Sequence, residues 1–298
     1  MIRKALLIAW IQLRLWRRSA RVGFVLALGF VLAGLLTGKA MAFTKISEAP
    51  VQLLEPFIWT FGDSTSILLC SSLLLLLFSD APFVNSATPF LLARTNRCTW
   101  LLGQVFYAAL ATLLYLLWVA ACTVLLCAKN AFAGNQWSRT AAILGYSRAG
   151  AQFFLPSSVR AMEAATPLAC SLTIFALMLA YSLVLAFFML WLGLWRGRRA
   201  AFLGSLCFSL YGFLLRKETV TAILRLGPAE SFRASVLLGW ISPLNHASYA
   251  MHSFGYDRLP TLETSFALFL GLLAALFFFA RRSVRRYHFL FWGRQGDL

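Results

Sequence analysis

Leu73-Leu74-Leu75-Leu76-Leu77-Phe78 closes an apolar run that opens near Phe57 and carries one charged residue, Asp63. The hydrocarbon core of a bilayer is roughly 30 Å thick and is crossed by about 20 apolar helical residues. The run at 57–78 meets that length. Outward from it, further apolar stretches lie near 22–38, 101–127, 167–195, 200–215 and 262–280, separated by basic segments. Those at 22–38 and 200–215 fall slightly short. The pattern predicts an all-α, polytopic membrane protein with six transmembrane helices.

Composition agrees. Hydrophobic residues make up 60% of the 298 and charged residues only 12%, against about 25% charged in an ordinary soluble domain. A soluble core of this length cannot hide so much apolar surface, whereas lipid covers it. The 27 basic and 10 acidic residues leave a net charge of +17. In a soluble chain that balance points to nucleic acid. Here the basic residues flank apolar runs, so membrane lipid headgroups are the expected partner and nucleic acid is not.

The six cysteines form no C-x-x-C pair and fall mostly in apolar runs, so packing is their expected role. Arg3, Lys4, Arg14, Arg17 and Arg18 interrupt the first residues too often for a cleavable signal peptide. With six spans, most of the arginines and lysines gather on one side: those of the head with Arg21, then Arg94 and Arg97, Arg196, Arg198 and Arg199, and Arg281, Arg282, Arg285, Arg286 and Arg294. The positive-inside rule then predicts that both termini are cytoplasmic and that 128–166 and 216–261 lie outside.

Residues 1–21 read as a separate element before the transmembrane domain of 22–298. Ile2, Leu6, Ala9, Leu13 and Trp16 recur at helical spacing, and Arg3, Lys4 and Arg14 occupy the rest. With Trp10 and Trp16, this predicts a basic amphipathic helix in the inner headgroup layer; a helix packed on a partner is the alternative. In the first span, Gly34-x-x-x-Gly38 is a weak signal for close helix approach.

After the second span, Pro82 and Pro89 break the helix. Phe90, Leu91, Leu92, Ala93, Arg94, Thr95, Asn96, Arg97, Cys98, Thr99 and Trp100 follow, a short helix or turn re-entering the third span. Arg94 and Arg97 either face a soluble partner or only anchor that span. The Arg196-Gly197-Arg198-Arg199 stretch predicts a tight turn between spans four and five. In 216–261, Thr219–Leu226 and Ser231–Ile241 read as short helices around Gly227-Pro228, a re-entrant or surface-lying pair too short to span.

Catalytic signatures are missing from the string. It holds no G-x-x-x-x-G-K-[ST] phosphate loop and no H-E-x-x-H zinc motif. Of the three histidines, His246 and His252 lie in the outer segment, where surface or hydrogen-bonded roles are expected.

The sum of these features resembles the type-two ABC transporter permeases, the membrane subunits of bacterial ABC exporters. Residues 2–17 match the interface helix, Ser79–Gly103 the segment with the coupling helix, and Thr219–Ile241 the paired outer half-helices. The resemblance covers nearly the whole chain and is architectural. It implies a homo- or heterodimer of permeases in a bacterial inner membrane, carrying separate cytoplasmic ATPase subunits. ATP and Mg would bind those subunits, and no cofactor this chain. It also implies that Pro89, Phe90, Leu91, Arg94, Thr95, Asn96, Arg97 and Trp100 form the ATPase-coupling segment, and that Arg3, Lys4, Trp10, Arg14 and Trp16 belong to the interface helix. The expected function is export of a lipid, peptide or hydrophobic drug, without catalysis by this chain. A non-transporting membrane scaffold or assembly factor is the competing expectation.

Overall fold

The computed structural model describes residues 1–47, 49–85, 88–147, 159–215, 217–223, 225, 231–255 and 258–289. Gly227-Pro228 and Arg294, singled out in the sequence, lie outside these. Helix α1 (Ile2–Arg14) leads through a 3-10 turn, Leu15–Arg18, into α2 (Ala20–Ser47). Next come α3 (Glu55–Phe61), α4 (Ser64–Leu77), α5 (Thr88–Arg94), α6 (Arg97–Cys127), α7 (Arg139–Tyr146) and α8 (Val159–Ala164). Then follow α9 (Pro167–Arg196), α10 (Arg198–Leu214), α11 (Lys217–Ile223), α12 (Ser231–Ile241), α13 (Pro243–Ala247) and α14 (Leu262–Arg286). Strands β1 (Val51–Gln52) and β2 (Ala131–Phe132) make one short parallel pair.

Among the described residues, four helices are long and apolar enough to cross a membrane: α2, α6, α9 and α14. The first is longer than its apolar stretch implied, because helix continues past Lys39 to Ser47. Helices α3 and α4 meet that test only together, and they bend by 85° at Gly62-Asp63. The run at 57–78 is therefore not one straight helix: Asp63 is extended, at φ −100° and ψ 136°, and α4 restarts after it. The carbonyl of Gly62 freed by the break accepts the hydroxyl of Ser248 at 3.1 Å, which satisfies it away from water. Helix α10 has 17 residues, about 26 Å long, less than a hydrocarbon core.

Helix α9 is the centre of the bundle. It packs against α14, α10, α6, α4 and α3, and half of its most apolar window is buried, against 28% for α2 and 17% for α14. The outer helices thus turn most of their apolar surface away from the protein, as lipid-facing helices do. Some polar side chains tie the helices of the bundle to one another. Tyr115 donates to the Cys70 carbonyl at 3.0 Å, joining α6 to α4, and the Trp118 indole donates to the Leu26 carbonyl at 3.0 Å, joining α6 to α2.

The α2–α6 crossing lies at Gly29, where an added Cβ would touch Tyr115, Trp118 and Val119 at 3.6–3.7 Å. Gly34 and Gly38 do not form a close approach: a Cβ at Gly38 would meet nothing within 4 Å, and one at Gly34 only Leu126 at 4.0 Å. The expected turn between α9 and α10 is a single residue, Gly197, at φ +88°, a backbone angle that suits glycine.

Candidate functional site at the arginine-rich end

Helix α1 lies against α6, and its packed face differs from the stripe read in the sequence. Ala5, Ile8, Ala9 and Gln12 are buried, whereas Ile2, Leu6 and Trp10 are more than half exposed. Of the expected stripe only Ala9 is fully inside; Leu13 and Trp16 are half-buried. The cause is on the facing helix. At Gly103 an added Cβ would sit 2.6 Å from Ile8 Cγ2, so the missing side chain is the socket that receives Ile8. The larger apolar residues are left on the outer flank. There Leu6, Leu7, Trp10, Phe106 and Leu110 line a groove of about 690 Å³, with Arg3 at its edge.

The same helix holds the segment that follows the second apolar run. Gln12 Nε2 donates to the Phe83 carbonyl at 3.1 Å, and Asn85 Nδ2 donates to Gln12 Oε1 at 3.3 Å. Lys4 Nζ donates to the Arg94 carbonyl at 3.3 Å. At the start of α2, Arg21 pairs with Asp80 at 2.7 Å and donates to Ser79 Oγ at 3.2 Å. Trp16 Nε1 donates to the Tyr107 hydroxyl at 2.9 Å, and Tyr107 stands edge-on to Phe83 at 4.7 Å. The N-terminal arm, the 78–85 stretch, Arg94 at the end of α5 and the base of α6 are therefore fastened at several points. Arg14 stays exposed.

Helix α5 starts where Thr88 Oγ1 accepts from Asn85 N at 2.9 Å and donates to Asn85 Oδ1 at 3.0 Å. Pro89 sits in its first turn, where its missing N–H costs nothing. Phe90 is 74% exposed and Arg94 and Asn96 are exposed, while Leu91 and Thr95 are half-buried. Thr95 Oγ1 donates back to the Leu91 carbonyl at 2.6 Å.

The two arginines part company. Arg94 projects from α5, whereas Arg97 Nη1 donates to the main-chain carbonyls of Arg285 at 2.7 Å and Tyr287 at 3.3 Å. Arg97 thus fastens the end of α14, where a helix leaves its last carbonyls unpaired. Trp100 is fully buried with Leu101, Leu190, Leu194, Ala280 and Val284, its ring 5.1 Å from Phe289. It roots the segment and is not part of its surface. The outward face includes Phe90, Ala93, Arg94 and Asn96.

The far end of the bundle holds two polar clusters: the one at Glu55 was not read from the sequence, and in the other His246 and His252 take the hydrogen-bonded of the two roles expected for them. The buried Glu55 carboxylate accepts from Ser138 N at 2.7 Å, Ser138 Oγ at 2.6 Å and Gln52 N at 3.1 Å. His246 and His252 are also buried, and both rings meet Ser265 Oγ on α14. No protein-family model matches the chain, and no curated protein matches it in sequence.

Proposed function

We propose that this chain is the membrane permease subunit of an ATP-driven exporter, resembling the type-two ABC permeases. One observation carries the reading. Helix α5 presents Phe90 and Arg94 outward, is tied to α1 through Lys4, and leads into Arg97, which holds the end of α14. A force applied at α5 therefore reaches both ends of the chain. That is the mechanical requirement for a gate driven from a separate engine, and it acts only if the engine binds the two gate states with different affinity.

In this reading the chain has six spans: α2, the bent pair α3–α4, α6, α9, the short α10 and α14. Both termini are cytoplasmic in a bacterial inner membrane. ATP and Mg act on the partner ATPases, which dock on the Phe90–Asn96 face. A second permease, identical or not, completes the path, and the apolar bundle favours a hydrophobic or amphipathic substrate.

The test is reconstitution of the purified chain with the ATPase that co-purifies with it. ATP hydrolysis that rises on adding the chain, together with ATP-dependent movement of an amphipathic dye across proteoliposomes, supports the permease. A stable partner complex that hydrolyses no ATP and moves no substrate supports the scaffold instead.

A further inference from the structure

We propose that His246, Ser265 and His252 form a binding site for one proton, which when filled strengthens the attachment of the α12–α13 segment to the last membrane helix. His246 Nε2 lies 3.1 Å from the Trp240 carbonyl and His246 Nδ1 2.8 Å from Ser265 Oγ. His252 Nδ1 lies 2.9 Å from the Ser248 carbonyl and His252 Nε2 2.9 Å from the same Ser265 Oγ. Carbonyl oxygens only accept, so the nitrogen facing each must carry a hydrogen. Both remaining ring nitrogens of the neutral side chains then offer lone pairs to Ser265, whose hydroxyl has a single hydrogen to give. Four hydrogen bonds are laid out, and two neutral imidazoles with one hydroxyl hold three hydrogens. One added proton completes the set. It makes one ring doubly protonated, with its inner N–H donating to Ser265 Oγ, while the Ser265 hydroxyl donates to the other ring.

The site is built. The two histidines are each 1% exposed and Ser265 is 0% exposed. Ser242 caps α13 and donates to the Gly212 carbonyl on α10 at 3.1 Å, which fixes His246. Ser248 Oγ on the Gly62 carbonyl fixes the stretch leading to His252. Ionisable groups on the surrounding elements include Tyr249 on the same stretch, Cys170 and Tyr181 on α9, Cys207 and Tyr211 on α10, Asp63 at the α3–α4 break, Arg233 on α12, Arg258 before α14 and Glu263 on α14. No carboxylate acts on either ring among the described residues; the charge felt by His252 is that of His246. Burial holds both rings below the ordinary imidazole value and opposes the first proton, while the missing hydrogen favours it. A second proton meets both burial and the charge of the first. Occupancy therefore stops at one.

The inference does not depend on transport, since its test uses the full chain alone in lipid nanodiscs. With histidine labelled by nitrogen-15, NMR reads the protonation of each ring nitrogen as pH falls from about 8 to about 5, a range that brackets ordinary imidazole titration. His288→Gln removes the third signal. The expected result is one doubly protonated ring at the acidic end while the other stays neutral. Ser265→Ala lowers the midpoint of that step by about one pH unit, a tenfold loss of proton affinity, and Ser265→Thr, which keeps the hydroxyl, restores it. If Ser265→Ala does not fold, the unaltered chain and Ser265→Thr decide. Two rings neutral throughout, two rings charging together, or a midpoint indifferent to Ser265→Ala each overturn the proposal.

Discussion

Arg97 at the start of α6 donates to the main-chain carbonyl of Arg285 at 2.7 Å, closing a ring of 188 positions between the third apolar stretch and the last. Replacing Arg97 with Ala releases the C-terminal turn of α14 and costs about 1 kcal/mol, below the usual value for a charged hydrogen bond because the side chain is solvent-exposed. Hydrogen exchange of residues 281–287 reads it as faster exchange there. Arg94→Ala, whose side chain makes no such bond among the described residues, leaves those amides unchanged.

Gly103 is the socket for Ile8, so Gly103→Ala forces α1 off α6. Overpacking of this kind costs about 1–3 kcal/mol. Ile8→Gly on its own leaves a cavity but removes both Ile8 atoms, Cγ2 at 2.6 Å and Cβ at 2.7 Å, that the added methyl would strike, so the double variant Ile8→Gly with Gly103→Ala recovers part of the loss. Thermal unfolding of the four proteins in one detergent gives the coupling, which is expected to be non-additive because the two positions touch. Additive losses contradict the docking of α1 on α6.

The Arg21–Asp80 pair has side chains 31% and 39% exposed, so its direct contribution is modest, under about 1 kcal/mol, and falls with added salt. Arg21→Asp leaves two carboxylates facing each other and lowers the melting temperature. The exchanged double variant, Arg21→Asp with Asp80→Arg, returns most of it. Failure of the exchange to recover stability contradicts a direct pairing.

Glu55 accepts three donors, two from Ser138 and one from Gln52. Glu55→Gln turns an amide NH2 toward at least one of those donors and leaves it unpaired, which costs about 1–3 kcal/mol. Ser138→Ala removes the hydroxyl that donates to Glu55 and that also caps α7 by accepting from Ala141 N at 3.0 Å, and costs about 0.5–2 kcal/mol. Limited proteolysis between α6 and α9 checks both: cleavage is faster in Glu55→Gln and in Ser138→Ala than in the unaltered chain.

The membrane-spanning character was legible because uncharged runs near 101–127 and 167–195 leave no other economical reading, and α6 and α9 follow them closely. The bend at Gly62-Asp63 was not, since hydropathy averages over a two-residue interruption; Asp63 in the run was the available signal. The face of α1 was misjudged because apolar spacing marks two arcs on that helix, and only the facing Gly103 selects the arc with Ala5 and Ile8. Arg94 and Arg97 are indistinguishable as a charge pattern. Their different roles depend on where α14 ends, which is remote in sequence. The Glu55–Ser138 and His246–Ser265–His252 clusters join residues whose pairing no local periodicity encodes.

The central claim, that the Phe90–Asn96 face of α5 receives a nucleotide-hydrolysing partner, is tested most directly by photocrosslinking in native membranes. A photocrosslinking amino acid is placed in turn at Phe90 and Arg94, and as a control at Phe254 near the opposite end. The account predicts that the two α5 positions capture one protein carrying a G-x-x-x-x-G-K-[ST] loop, with a yield that changes on adding ATP, and that Phe254 does not. Capture of no such protein from either α5 position, in a chain that is correctly inserted, contradicts it.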